Sequence, residues 1–398
     1  MLRLFPRILL LAVGICLAGL ILTVNIAFSK FYDGDGEGAR SFMPWGSAAN
    51  ALAAEDAFKA QDFGQAGTLA ERSLDRALLN VKALRVLGFS RQARNEADPT
   101  VLPLMSLAGR LGWRDSPTQL WLMLTALQTR NYEIAVQRAD GLIRRDQASD
   151  QVLAIIRKAA LDPLATRAIV SSLVGMPPWR SRMFLQDPAA SADEANGMEA
   201  IVASLRRSPA PATRGELWYY LDGLMRARDY DRAYRVWKLT QGSAGTQWPH
   251  DPQFAKAARA SAQGDVQLPF EWTFKPTGPA SPRFGSSTAG KILLSGSYDP
   301  MQDYLTQIMH APPGQHRLEI ATSGANPAAL TSLLWKLTCL PGRTQLLGAP
   351  APAAANGGLV YAFSIPAEGC AFQKLSLSLS PSAATRSLSM TIKSASIS

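Results

Sequence analysis

The chain reads as a multidomain protein: one transmembrane helix, an all-α array of paired helices, and a C-terminal all-β sandwich. Three observations predict this. Residues 8–28 form an uncharged apolar run behind Arg3 and Arg7. Three turns place an aromatic residue three positions before an alanine, each between helix-like segments. Past residue 265 the helical period gives way to short alternating runs. The expected boundaries are a cytoplasmic N-terminus at 1–7, a membrane anchor at 8–28 and a linker at 29–47. A helical array at 48–264 and a sandwich at 265–398 follow.

The apolar run comes first. As a helix its 21 residues span about 31 Å, the thickness of a hydrocarbon core. Arginine before it and Asp33-Gly34-Asp35-Gly36-Glu37 after it orient the N-terminus toward the cytoplasm. The expectation is a single-pass inner-membrane protein of a Gram-negative bacterium with its bulk in the periplasm. Ala27-Phe28-Ser29 resembles a small-x-small cleavage site, which leaves a removed signal peptide as the alternative; the run exceeds the usual signal core. A lipidated Cys16 is disfavoured by the bulky Ile15 before it. Either alternative also leaves the domains outside the cytoplasm. The acidic glycine run at 33–38 resembles a calcium loop only superficially, because its twelfth position is Pro44 rather than Glu. A flexible tether is expected there.

Composition narrows the function classes. The chain has 398 residues, 47% of them hydrophobic, so a sizeable core forms and global disorder is excluded. The net charge of +10 is scattered along the chain without a nucleic-acid motif. No nucleic-acid partner is expected; solvated helix faces explain dispersed charge, with attraction to anionic lipid headgroups or acidic polymers as the alternative. Cys339 and Cys370 lie 31 positions apart, far from a CxxC metal pattern. In an oxidising compartment a bond between them would stabilise by roughly 3–4 kcal/mol in the chain-entropy model. Two unpaired core thiols are the alternative.

The array is written in its turns. Asp62-Phe63-Gly64-Gln65-Ala66, Asn131-Tyr132-Glu133-Ile134-Ala135 and Asp229-Tyr230-Asp231-Arg232-Ala233 are separated by 69 and 98 residues, alanine to alanine. These are near multiples of a period of about 34. Gly88 follows Ala54 by 34 residues in the equivalent small-residue slot. Pro117 opens a third unit, residues 147–213 hold atypical hairpins broken by prolines, and a helix from about Phe254 to Ala262 caps the stack. These turns resemble tetratricopeptide repeats, with an irregular helical array as the alternative. The resemblance implies protein binding on a concave face lined by each hairpin's first helix. Carried over by position, it puts Glu55, Phe58, Lys59, Arg85, Phe89, Leu124 and Gln128 there, and Trp218, Asp222, Met225 and Arg226 in the last unit.

In the last third, strands are expected at 291–294, 316–320, 333–339, 359–363, 374–379 and 388–392. Pro269-Phe270-Glu271-Trp272, Pro312-Pro313-Gly314-Gln315-His316-Arg317-Leu318 and Trp335-Lys336-Leu337-Thr338-Cys339 resemble jelly-roll sandwiches related to carbohydrate-binding modules. A similar pairing of repeats and sandwich occurs in bacterial exopolysaccharide-associated envelope proteins, and the resemblance implies polysaccharide as a further partner. Trp272, Tyr298 and Tyr304 are the candidate sugar platforms, provided their rings are exposed. Trp272 and Trp335 also suit a core.

No chemistry-bearing pattern stands out. His250, His310 and His316 are not ligand-spaced, and no nucleophile elbow, P-loop or dinucleotide fingerprint occurs. A glycosidase would draw its carboxylates from Asp299, Asp303, Glu319 and Glu368. The expectation is a non-enzymatic scaffold without cofactor or metal, binding envelope proteins, with glycan binding by the sandwich as the alternative.

Overall fold

A computed structural model describes residues 5–185, 187, 190–241, 247–274, 283–284, 292–296, 302–324, 330–352, 358–380 and 388–398. Their contacts divide into two compact units, Met1–Ile156 and Arg157–Ser398.

The first unit runs α1 (Phe5–Tyr32), α2 (Gly36–Phe42), α3 (Ser47–Lys59), α4 (Phe63–Arg76), α5 (Val81–Arg94), α6 (Val101–Leu111), α7 (Ser116–Gln128), α8 (Tyr132–Ile143) and most of α9 (Ser149–Ala159). Within α1, Ala12–Tyr32 is long and apolar enough to cross a membrane, with a mean hydropathy of 2.1. From α3 to α8 each helix packs on the next. Asp62, Asn80 and Asp115 cap α4, α5 and α7 by accepting a backbone N–H three residues on. Small residues let the helices cross closely: Ala54, Ala66, Ala70 and Ala83 are fully buried. A side chain at Gly88 would collide with Met105 of α6.

The three aromatic-x-x-alanine turns share one geometry. Gln61, Arg130 and Arg228 each adopt positive φ (63°, 58° and 61°). The next residue donates its N–H to the carbonyl five back: Asp62 to Ala57, Asn131 to Ala126 and Asp229 to Leu224. This is the Schellman arrangement, which satisfies orphan carbonyls at a helix end. The alanines that follow, Ala66, Ala135 and Ala233, are all fully buried. Left-handed backbone strains a residue bearing Cβ, so glycine relieves each site. Gln61→Gly, Arg130→Gly and Arg228→Gly are each expected to stabilise by about 0.5–1 kcal/mol, read as a rise in melting temperature of the detergent-solubilised chain.

The expected flexible tether is corrected. α1 ends in a turn of the same type at Gly34, where Asp35 donates its N–H to the Lys30 carbonyl (2.9 Å). Asp35 then caps α2 through the Gly38 N–H (2.7 Å). Helix α2 packs on both α1 and α3, and the Gly36 N–H reaches the Asp56 carboxylate of α3 (3.1 Å). Gly36 lies so close to the Leu52–Ala53 backbone that no side chain fits. Gly36 thus serves a close helix crossing and Gly34 a left-handed turn (φ 78°) instead of supplying chain freedom.

The second unit continues with α10 (Pro163–Val174), α11 (Arg180–Met183), α12 (Ala192–Leu205), α13 (Arg214–Arg226), α14 (Tyr230–Thr240) and α15 (Ala255–Gln263). Strands follow: β1 (Thr273–Phe274), β2 (Arg283–Phe284), β3 (Ile292–Gly296), β4 (Leu305–Met309), β5 (Gly314–Ser323), β6 (Leu333–Leu340), β7 (Ala351–Pro352), β8 (Leu359–Ile365), β9 (Phe372–Leu379) and β10 (Leu388–Ile397). They form two antiparallel sheets, ordered β1-β4-β9-β6 and β2-β3-β10-β5-β8-β7. All six expected strands are present. Alternate residues of β4, β6 and β8 point inward into one core built from both sheets, which includes Trp335, Leu337, Leu318, Ile320 and Ile392. Cys339 of β6 is bonded to Cys370, while Cys16 is free.

Helices and sandwich are joined inside this unit. The 248–252 segment extends the larger sheet, with the Ile397 and Ala395 N–H groups donating to Trp248 and Pro252 carbonyls (2.7 and 2.9 Å). Strand β9 is buried on both faces for most of its length. Tyr230 and Tyr234 of α14 bring their rings within 5.8 and 5.9 Å of Phe372 at its start. The change of periodicity near residue 265 is therefore not a break in packing.

Candidate functional site

The expected groove residues separate into two kinds. Arg85 of α5 is buried between Glu55 of α3 (2.8 Å) and Asp115, the cap of α7. Lys82 adds a second cation to Glu55 at 2.7 Å. The three charged positions recur every 30 residues, so each repeat stacks its charge on the next. These groups tie consecutive hairpins together instead of facing a partner. Lys59 is exposed, with Asp56 3.8 Å away. Helix α13 differs: Tyr219 and Arg226 are exposed and Trp218 is half-buried. The Trp218 and Tyr219 rings meet edge-on at 5.3 Å, and Asp222 pairs with Arg226 at 3.0 Å. This strip has the aromatic-plus-arginine composition of an interaction hot spot.

The glycan platforms are corrected. Trp272 and Tyr304 are each only 1% exposed and stand in the sandwich core. The Trp272 indole donates to the Asp251 carbonyl at 3.0 Å, and a buried ring offers no face to a sugar. Tyr298 lies outside the described residues.

A different concavity lies elsewhere in the second unit. A cleft of about 820 Å³ is bounded by the end of α14, the 247–253 segment, α15 and residues 265–272. That volume falls in the range of small-molecule sites. Its aromatic wall is Trp237, whose ring lies 4.6 Å from His250 and 5.6 Å from Phe270. Five glutamines line it: Gln241, Gln247, Gln253, Gln263 and Gln267. Several charged groups are occupied internally. Glu271 accepts from Arg214, from Gln241 (3.2 Å) and from the Leu268 N–H (3.2 Å). Asp251 accepts the Ala257 N–H at 2.9 Å.

Two buried polar atoms here, Trp237 Nε1 and His250 Nε2, have no hydrogen-bond partner among the described residues. Burial pushes the His250 imidazole down to about 4, and nearby Lys256 and Lys238 add to the shift. The ring is neutral at physiological pH. The cleft thus combines five amides and a neutral imidazole with the charged side chains of Arg214, Asp251, Lys256, Arg259, Asp265 and Glu271 beside the Trp237 wall, a lining suited to a polar ligand. Reasoning from sequence missed it, although five glutamines within residues 241–267 were a readable signal.

No protein-family model matches the chain, and a search of curated proteins finds no relative. The class that fold and site define is therefore structural: an apolar N-terminal helix mounted on a helical array, and a disulfide-stapled antiparallel sandwich packed on helices.

Proposed function

We propose that this protein is a membrane-anchored scaffold of the bacterial cell envelope. Helix α1 is its uncleaved span, the N-terminus is cytoplasmic, and both units lie in the periplasm. The Cys339–Cys370 bond supports an oxidising compartment. The observation that carries the reading is the α13 strip, where exposed Tyr219 packs against Trp218 and exposed Arg226 pairs with Asp222. A link to exopolysaccharide assembly rests on the resemblance of the repeat-and-sandwich pairing.

Affinity capture of the full chain from detergent-solubilised membranes tests the scaffold. Trp218→Ala with Arg226→Glu is expected to cut recovery of a co-purifying envelope protein about tenfold, the loss of one hot-spot residue or more. An unchanged partner set at unchanged thermal stability would refute the α13 reading.

A second reading, glycan binding, is favoured by the amide-lined cleft beside Trp237 rather than by exposed sandwich rings. Affinity electrophoresis of the same purified chain through neutral and acidic polysaccharides tests it. Retardation abolished by Gln247→Ala with Gln253→Ala supports it, and migration unaffected by any polysaccharide dismisses it.

A further inference from the structure

We propose that one end of the helical array in the first unit lies on the membrane that α1 crosses, with its turns seated among anionic lipid headgroups. This rests on reading α1 as a span. Side chains of α1 from Val13 to Leu22 are exposed, but Ala27 is only 3% exposed and Thr23 and Val24 are half-covered. The elements packed on α1 are α2 and α3. Cover therefore begins at Thr23, five residues before the apolar run ends at Phe28, or about 8 Å along the helix. Whatever covers those residues stands at the depth of the headgroup–acyl boundary.

The chain path identifies the end of the array involved. After the turn at Gly34, α2 starts beside the later part of α3, where Gly36 meets Asp56. It then packs back on α1 and delivers the chain to the start of α3, where the Pro44 carbonyl accepts from Asn50 (2.8 Å). Ser47 at that start bonds Ser73 (3.0 Å) and Asn80 (3.2 Å), which brings in the 77–80 turn. Gly112 lies against Val81, and Ser116 bonds Gln147 (3.3 Å). The 111–115 and 144–148 turns thus stand at the same end.

Composition distinguishes this end from the other. Phe42, Trp45, Leu78, Leu79, Leu111 and Trp113 are large apolar residues exposed there. Leu78 is the most open of them at 75%. Arg76, Arg110 and Arg114 are exposed beside them without an ion-pair partner among the described residues, and the anions of these turns are Asp75, Asp115, which Arg85 pairs, and Asp146. The turns at the opposite end, residues 60–62, 95–100 and 129–131, contain no large apolar residue; exposed Leu102 and Ile134 sit beyond them on helix faces. Leucine and tryptophan flanked by free arginines, continuous with a membrane helix, is the composition that anionic lipid interfaces accept.

The test uses the full chain, with Cys16→Ser and one environment-sensitive fluorophore, in nanodiscs containing phosphatidylglycerol and nitroxide-labelled lipid. Label at Leu17→Cys reports the span, Leu79→Cys the proposed contact and Glu96→Cys the opposite end. Blue-shifted emission quenched by the nitroxide is expected at 17 and 79 but not at 96, with weaker quenching at 79 when phosphatidylcholine replaces phosphatidylglycerol. Quenching at 17 with water-like emission at 79 overturns the docking alone. A blue shift at 79 without quenching also overturns it, because a protein surface then covers the turn. Absence of quenching at 17 overturns the span on which the docking rests.

Discussion

Arg180→Ala is expected to destabilise the second unit by about 4 kcal/mol, the cost of leaving a buried charge without its partner. Arg180 is 3% exposed and its guanidinium makes six hydrogen bonds to five groups. Its Nε and Nη2 bind the Glu216 carboxylate at 2.8 and 3.1 Å. Its Nη groups also reach the carbonyls of Leu173, Ala210 and Pro211 (2.9, 3.2 and 2.9 Å) and the sulfur of Met176 (3.1 Å). Glu216 meanwhile closes the capping box of α13 through the Thr213 N–H at 2.8 Å. One side chain thus joins α10, α11, the 210–211 turn and α13. The melting temperature is expected to fall by about 8–16 °C for a unit of this size. Arg180→Lys keeps the charge but lacks the planar fork, so it recovers only part of the loss. Arg180→Met with Glu216→Met removes both charges and is expected to be milder than Arg180→Ala alone. If Arg180→Ala melted with the wild type, the network would not hold the unit together.

Arg85→Ala is expected to cost the first unit about 3 kcal/mol for the same reason, since Glu55 and Asp115 lose the cation between them. Lys82 softens the effect because it already pairs with Glu55. The pH dependence carries a second signature. Burial pushes the Glu55 carboxyl up, but the Lys82 ammonium and the Arg85 guanidinium outweigh it, and the net shift is down from the ordinary 4.5. A carboxylate held below its unfolded value stabilises fully above that range and loses the contribution as pH falls through the folded value. Wild-type stability therefore declines below about pH 4.5, and Arg85→Ala flattens that acid limb while lowering the neutral-pH plateau. Melting curves of the detergent-solubilised chain across that range check both. An acid limb of undiminished slope would mean that Arg85 does not set the Glu55 ionisation.

Much of the architecture was legible because it depends on local pattern. The apolar run behind Arg3 and Arg7 forms one long helix, and the six alternating runs form strands. The alanines at 66, 135 and 233 are buried at helix crossings, as their place after each turn implied. The site residues were less legible. Periodicity put Arg85 on the proper helix, but whether it met a partner or a structural mate depended on Glu55 and Asp115, 30 residues away on either side. Trp272 had the chemistry of a sugar platform, and only the enclosing sheets took its ring out of reach.

What the sequence determined by itself is the order and type of elements: a long apolar helix, paired helices, strands. Side-chain periodicity and helix caps are set by neighbours within a few positions, so they survive reading along the chain. What only the tertiary structure decided is which surfaces remain. Gly36 became a crossing point because α3 folded against it. Glutamines scattered over 27 residues converged on one cleft because α15 and the entry to the sandwich enclosed it. Burial and pairing are properties of distant segments brought together, and no local pattern encodes them.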